Sequence, residues 1–248
     1  CFDHPELSFV KDDLLYGETE AAMNDHTLYA NIACYLGLLG YIEMAAAAGY
    51  AEEAALWQTY ADRLQGGIDK CLTQENGWRL EKCGFSHDPV VTMLSDTYGY
   101  DTADMPADWV GRSMAVYPAD LAKTVDFGMY GVRGGIGYDH SMITQNALLL
   151  DQTRDAGALV ESLCRICYAP RLPEPYLVPE GMAIDAEKGI FRRQGDLGNL
   201  VQLAEAMKCF HIVAGISPVW GDTVKILPRL PKGWRVSVKD LPLINTKA

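Results

Sequence analysis

Apolar residues recur every three or four positions along most of the chain, and every second position only near its end. Leu28, Ile32, Leu36, Leu39 and Ile42 fall on one helix face. Asn24-Asp25 ahead of them offers a cap, and Gly49 stands where helices commonly stop. Leu56, Tyr60, Leu64, Ile68 and Leu72 repeat this spacing, so residues 24–72 predict two helices joined by a few residues, necessarily antiparallel. Glu75-Asn76-Gly77 reads as a turn, and Trp78 to Cys83 as a short strand. Asp88-Pro89 predicts a helix start running towards Tyr98. Two further helices are expected over Pro106–Tyr117 and Pro118–Tyr130. The glycine-rich stretch Gly131–Gly137 leads into another helix pair over 139–152 and 155–168. Residues 169–195 read as loop, and 196–214 as the last helix, patterned through Leu200, Leu203, Met207, Phe210 and Val213. After Gly215 the alternation of Val224-Lys-Ile-Leu and Val236-Ser-Val-Lys, punctuated by Pro and Gly, is β signal, expected over 222–240.

The fold class expected is therefore mainly α: consecutive antiparallel hairpins forming a bundle, a solenoid or an α/α toroid, followed by a small C-terminal β segment. No fixed repeat is visible, which weakens the solenoid. The first hairpin takes about 46 residues, and six such hairpins would need roughly 276, more than the 215 or so before the β segment. A toroid here would be partial, or completed by other segments. The candidate boundary lies near Ile216–Pro218, separating 1–216 from 217–248.

Composition narrows the function classes. Apolar residues make up 49% of 248, enough for a core. Apolar runs such as Met44–Ala48 are too short to span a bilayer, and no membrane partner is expected. A net charge of −12 argues against nucleic acid. Seven cysteines, an odd count, argue against a complete disulfide framework and favour buried thiols in a reducing, cytoplasmic compartment. Cys164 and Cys167 have CxxC spacing without a second pair, and the five histidines show no zinc spacing, so no metal is expected. No GxGxxG follows a strand, and GK[ST] and GxSxG are absent. No cofactor is expected.

Four stretches together resemble bacterial α-L-rhamnosidases and their relatives in the six-hairpin glycosidase superfamily: the helix pair 24–72 with Ala61-Asp62-Arg63-Leu64, the glycine-rich turn of Gly134–Leu150, Tyr176-Leu-Val-Pro-Glu180, and Val224–Trp234. The resemblance implies an inverting hydrolase that removes a terminal sugar such as rhamnose from a glycan or glycoside. It also implies that Glu180 lies on the loop presenting the catalytic base. In that family the general acid lies upstream of the helix pair, in a segment this sequence lacks, so no residue here inherits that role. A missing N-terminal part of the same protein is then a partner beside the carbohydrate substrate. The acidic-Trp signature of the family's base is also absent, since Gly181-Met182 follows Glu180.

Inversion needs an acid and a base held roughly 6.5–9.5 Å apart. Glu180, set between Pro179 and Gly181, is the first candidate for the base; an ordinary solvated loop carboxylate is the alternative. Asp196 is the second, against the reading that it merely caps the last helix. Candidate sugar contacts are Glu18 and Glu20, which could equally complement a helix dipole, with Tyr176, Arg192, Arg193, Tyr138 and His140. His140 could instead bond locally at a helix start. Trp78, Trp109 and Trp220 could stack on a sugar or pack in a core. Tyr138 and His140 would also suit a polysaccharide lyase or a sugar epimerase on the same fold, and the missing acid would suit a non-catalytic glycan-binding or scaffold fragment.

Overall fold

The computed structural model describes residues 10–17, 25–83, 90–122, 124–125, 129–130, 135–168, 179–185, 190–197, 200–217 and 224–239. Within 124–139, 165–168, 179–197 and 201–202 the description is of the backbone alone. The chain forms two compact units, Cys1–Thr97 with Asp108–Val116, and Tyr98–Ala107 with Tyr117–Ala248. The boundary expected near Ile216–Pro218 falls inside the second unit. The fold is mainly helical, as expected.

In the first unit, β1 (Val10–Lys11) and β2 (Leu14–Leu15) make a two-residue hairpin across Asp12 and Asp13. Both aspartates have positive φ, 54° and 60°, which matches the twist such tight hairpin turns need. The turn rests on α2 (Ala51–Cys71) at Gly67, where an added Cβ would lie 2.8 Å from both aspartate carbonyl oxygens. Helix α1 (Leu28–Ala47) is capped by Thr27, whose hydroxyl accepts from the Ala30 amide at 3.3 Å, not by the expected Asn24-Asp25. It ends at Gly49, φ 88°, with the Tyr50 amide donating to the Ala45 carbonyl and the Gly49 amide to that of Ala46. That left-handed closure turns the chain at once into α2. Leu28, Ile32 and Tyr35 of α1 and Ala61, Leu64 and Ile68 of α2 are buried.

Strands β3 (Thr73–Gln74) and β4 (Gly77–Trp78) pair across the expected turn. The strand expected over Trp78–Cys83 stops at Trp78 and gives way to a 3-10 turn, Leu80–Lys82. Helix α3 is Val90–Tyr98; the proposed Asp88-Pro89 start lies outside the described residues. Where two helices were expected over 106–130 there is one, α4 (Ala107–Leu121), which runs through Pro118 and ends three residues later. Pro118 has no N–H to offer the residue four back, so the last turn tolerates it without extending further. Strands β5 (Thr124–Val125) and β6 (Met129–Tyr130) replace the second helix.

In the second unit α5 (Gly137–Leu149) and α6 (Thr153–Tyr168) form the expected pair. They are joined by a left-handed closure in which Asp151, φ 57°, occupies the usual glycine position. Every residue of α5 from His140 onward is buried. The loop expected over 169–195 is in its latter part a β-hairpin, β8 (Pro179–Asp185) and β9 (Ile190–Leu197). The last helix, α7, is Leu200–Ala214 and so starts four residues after Asp196. The β segment expected over 222–240 is also corrected: among the described residues it is an isolated bridge, Ile216↔Ile226, in otherwise irregular chain. Alternation sets up a strand, but a ladder needs a partner strand at ladder spacing.

Candidate functional site

The three-stranded sheet β7-β8-β9 of the second unit carries Glu180, Arg192, Arg193 and Asp196. Strand β7 (Gly135–Ile136) runs directly into α5, and the central strand β8 pairs with β7 on one side and β9 on the other. Ile136 is opposite Gly181, and Tyr138, the second residue of α5, follows two residues beyond that rung, which adjoins Glu180. On the other side, Pro179 pairs with Leu197 and Gly181 with Gln194. One residue of β8, Glu180, therefore spans two residues of β9, Gly195 and Asp196. This is a β-bulge, a device that bends a strand and re-aims its residues next to functional sites. Pro179 takes the first position of β8, where a missing donor costs least.

The two carboxyl-bearing candidates thus lie within the same bulge. Asp196 is a strand residue, so the reading that it caps the last helix is overturned. Arg193 pairs with Met182 and Arg192 with Ala183, further along the same hairpin. As neighbours in one strand they fall on opposite faces.

The remaining candidates separate from this group. Glu18, Glu20, Tyr176 and Trp220 lie outside the described residues. His140 is 2% exposed, and its Nε2 faces the Leu159 carbonyl of α6 at 3.2 Å. A carbonyl only accepts, so that nitrogen carries the proton. His140 is a helix-packing residue rather than a rim contact for sugar. Trp78 and Trp109 are fully buried and stack edge to face at 5.7 Å. Trp78 Nε1 donates to Ser113 Oγ at 3.1 Å, and the Arg112 guanidinium lies 5.2 Å from its ring centre while pairing with Asp69 at 2.5 Å. Both tryptophans are core of the first unit, not sugar platforms.

Sequence reasoning missed a buried polar seam between α5 and α7. Gln145 Nε2 donates to the Glu205 carbonyl at 3.0 Å and to its carboxylate at 2.7 Å. Cys209 Sγ donates to the Ser141 carbonyl at 3.4 Å, and Thr144 Oγ1 to that of His140 at 2.7 Å. The available signal was the run Ser141, Thr144, Gln145, Asn146 in a helix enclosed on all sides, which makes internal partners obligatory.

Electrostatic perturbation elsewhere is local. Asp25 in the first unit is held below its ordinary value, chiefly by the hydrogen bond from Lys82, with desolvation opposing and the His26 amide assisting. Burial, with Asp155 alongside, pushes the Tyr117 hydroxyl of the second unit well up. Among the described residues no group of three or more His, Cys, Asp or Glu side chains could hold a metal. Cys34, Cys71, Cys83, Cys164 and Cys209 are free thiols. The expectation of burial is met by Cys83 and Cys209, but Cys34 is exposed on α1. Helix α1 is long and apolar enough to cross a membrane by length and composition, a test that core helices also pass. No protein-family model matches the chain, and no characterised protein matches it in sequence.

Proposed function

We propose that this chain is part of an inverting glycoside hydrolase built on an α/α toroid, removing a terminal sugar such as rhamnose, with Glu180 as general base. The observation that carries the reading is the bulge setting Glu180 across from Gly195-Asp196, beside the start of α5. A bulge interrupts the ladder at this carboxyl-bearing residue and so gives up pairing, and its presence argues for use. Bulges at a strand end also turn residues out of the ladder, leaving carboxylates able to reach substrate. Arg192 or Arg193, whichever shares the carboxylate face, serves as a hydroxyl donor, and Tyr138 stands at the adjacent helix start. The general acid comes from a segment outside these residues, as the rhamnosidase resemblance implies. Two consecutive helix pairs, α1-α2 and α5-α6, are the feature that supports a toroid scaffold.

The test compares Glu180→Gln with Asp196→Asn, assayed on aryl glycosides including the rhamnoside, in a gene product long enough to carry the upstream acid. Glu180→Gln lowers kcat by roughly 10²–10⁴-fold while melting stays unchanged, because a general base contributes that much. Collapse in Asp196→Asn with normal Glu180→Gln transfers the base role to Asp196. Unchanged turnover in both removes the hairpin from the mechanism, and glycan binding without any turnover makes the protein a binding module.

A further inference from the structure

Two helices expose apolar stripes whose features are complementary. Along α1 the exposed positions Ala33, Cys34, Gly37, Tyr41, Met44 and Ala48 recur at helical spacing on the side away from buried Leu28, Ile32 and Tyr35. Only 22% of the apolar stretch of this helix is buried, although such a helix normally lies inside a core or a membrane. Its midpoint is Gly37 and Gly40, where a Cβ would meet nothing within 4 Å, so the stripe is shallow at its centre. Its border is acidic: the Glu53 carboxylate accepts from the Tyr41 hydroxyl, and Glu52 stands exposed beside it in sequence.

Helix α7 carries the opposite relief. Leu200, Met207 and Phe210, 77%, 50% and 37% exposed, project along one face opposite buried Ala206, Cys209 and Val213. His211 is exposed on that face and Lys208 flanks it. Large side chains on one helix and glycines on the other are what close ridge-into-groove packing requires, and Lys208 of α7 is opposite in sign to Glu52 and Glu53 at the border of α1.

We propose that a second copy of this chain covers α1, seating its α7 on the Gly37-centred stripe in a head-to-tail contact. The contact is heterologous: each copy offers one α1 and one α7, and closure of the rotation decides whether a small ring or a longer assembly results. A two-fold contact of α1 with α1 would oppose acidic borders and leave the glycine hollows unfilled. This inference stands independently of the hydrolase reading.

Light scattering and sedimentation over a concentration series test it, using the 248-residue chain with Met44→Arg on α1 and Met207→Arg on α7. Both positions are half-exposed or more, so each variant should keep the wild-type far-ultraviolet dichroism; Ala33→Lys and Phe210→Lys replace any that does not. Wild type associates, each single variant is monomeric, and the two variants mixed form a 1:1 dimer through their intact faces. A wild type that is monomeric throughout, a single variant that still self-associates, or a mixture that fails to pair overturns the proposal.

Discussion

Replacing Gly215 with alanine should detach the segment that follows α7. Gly215 has φ 73°, a region that costs an L-residue about 1–2 kcal/mol. An added Cβ would lie 2.0 Å from the Leu227 carbonyl carbon, 2.1 Å from its oxygen and 2.3 Å from Pro228 nitrogen. These are backbone atoms, so relief requires the whole strand of chain to retreat. That retreat breaks the Leu227 amide bond to the Gly215 carbonyl, 2.7 Å, and the Arg229 amide bond to Val213, 3.1 Å. Each such bond contributes about 1 kcal/mol net. Together with the backbone strain, the expected loss is about 3–4 kcal/mol, or roughly 6–16 °C in melting temperature for a protein of this size. Gly233→Ala is the control: its φ is 87°, but nothing lies within 4 Å, so it loses the backbone strain alone. Thermal melts of both variants, with hydrogen exchange read over residues 224–231, separate clash from strain. Equal destabilisation by the two substitutions would refute the close approach of Leu227–Pro228 to the end of α7.

Other expectations follow from the same geometry. Gly67→Ala should cost about 1–3 kcal/mol by pushing the Asp12-Asp13 turn off α2, and Asp13 should lose its 2.8 Å pairing with Arg63, seen as faster amide exchange at the turn. Trp78→Phe should lower stability by about 1–3 kcal/mol, since it removes the donor to Ser113 and leaves that buried hydroxyl to be satisfied otherwise; melting no lower than that of wild type would contradict the buried pairing. Asp25 is a depressed carboxylate, so its contribution is present above its unfolded value of 3.8 and lost as pH falls through the lower folded value. The stability gap between wild type and Asp25→Asn should therefore close as acid is added below that range, and a gap that widens would contradict the Lys82 pairing.

Local spacing of apolar residues by itself located most of the long helices. Residues 28–47, 51–71, 137–149 and 153–168 lie within a few positions of where the apolar spacing put them, and Gly49 ends α1 because the left-handed closure suits glycine. What the sequence could not decide was pairing. Pro179, Gly181 and Gly189 read as loop residues, yet 179–185 and 190–197 are strands, because a ladder depends on register with another segment and β8 is held on both sides. The alternation after Val224 shows the converse: strand-like spacing that, among the described residues, forms only the bridge Ile216↔Ile226. The candidate site follows the same division. Glu180 and Asp196 were each visible as carboxylates among unusual neighbours, but only the register of β8 against β9 puts them in one bulge. His140 looked like a helix-start contact until α6 placed the Leu159 carbonyl against its ring. Spacing within one element is a local property, whereas what faces a residue is set by a second element, and that is decided only when the chain packs.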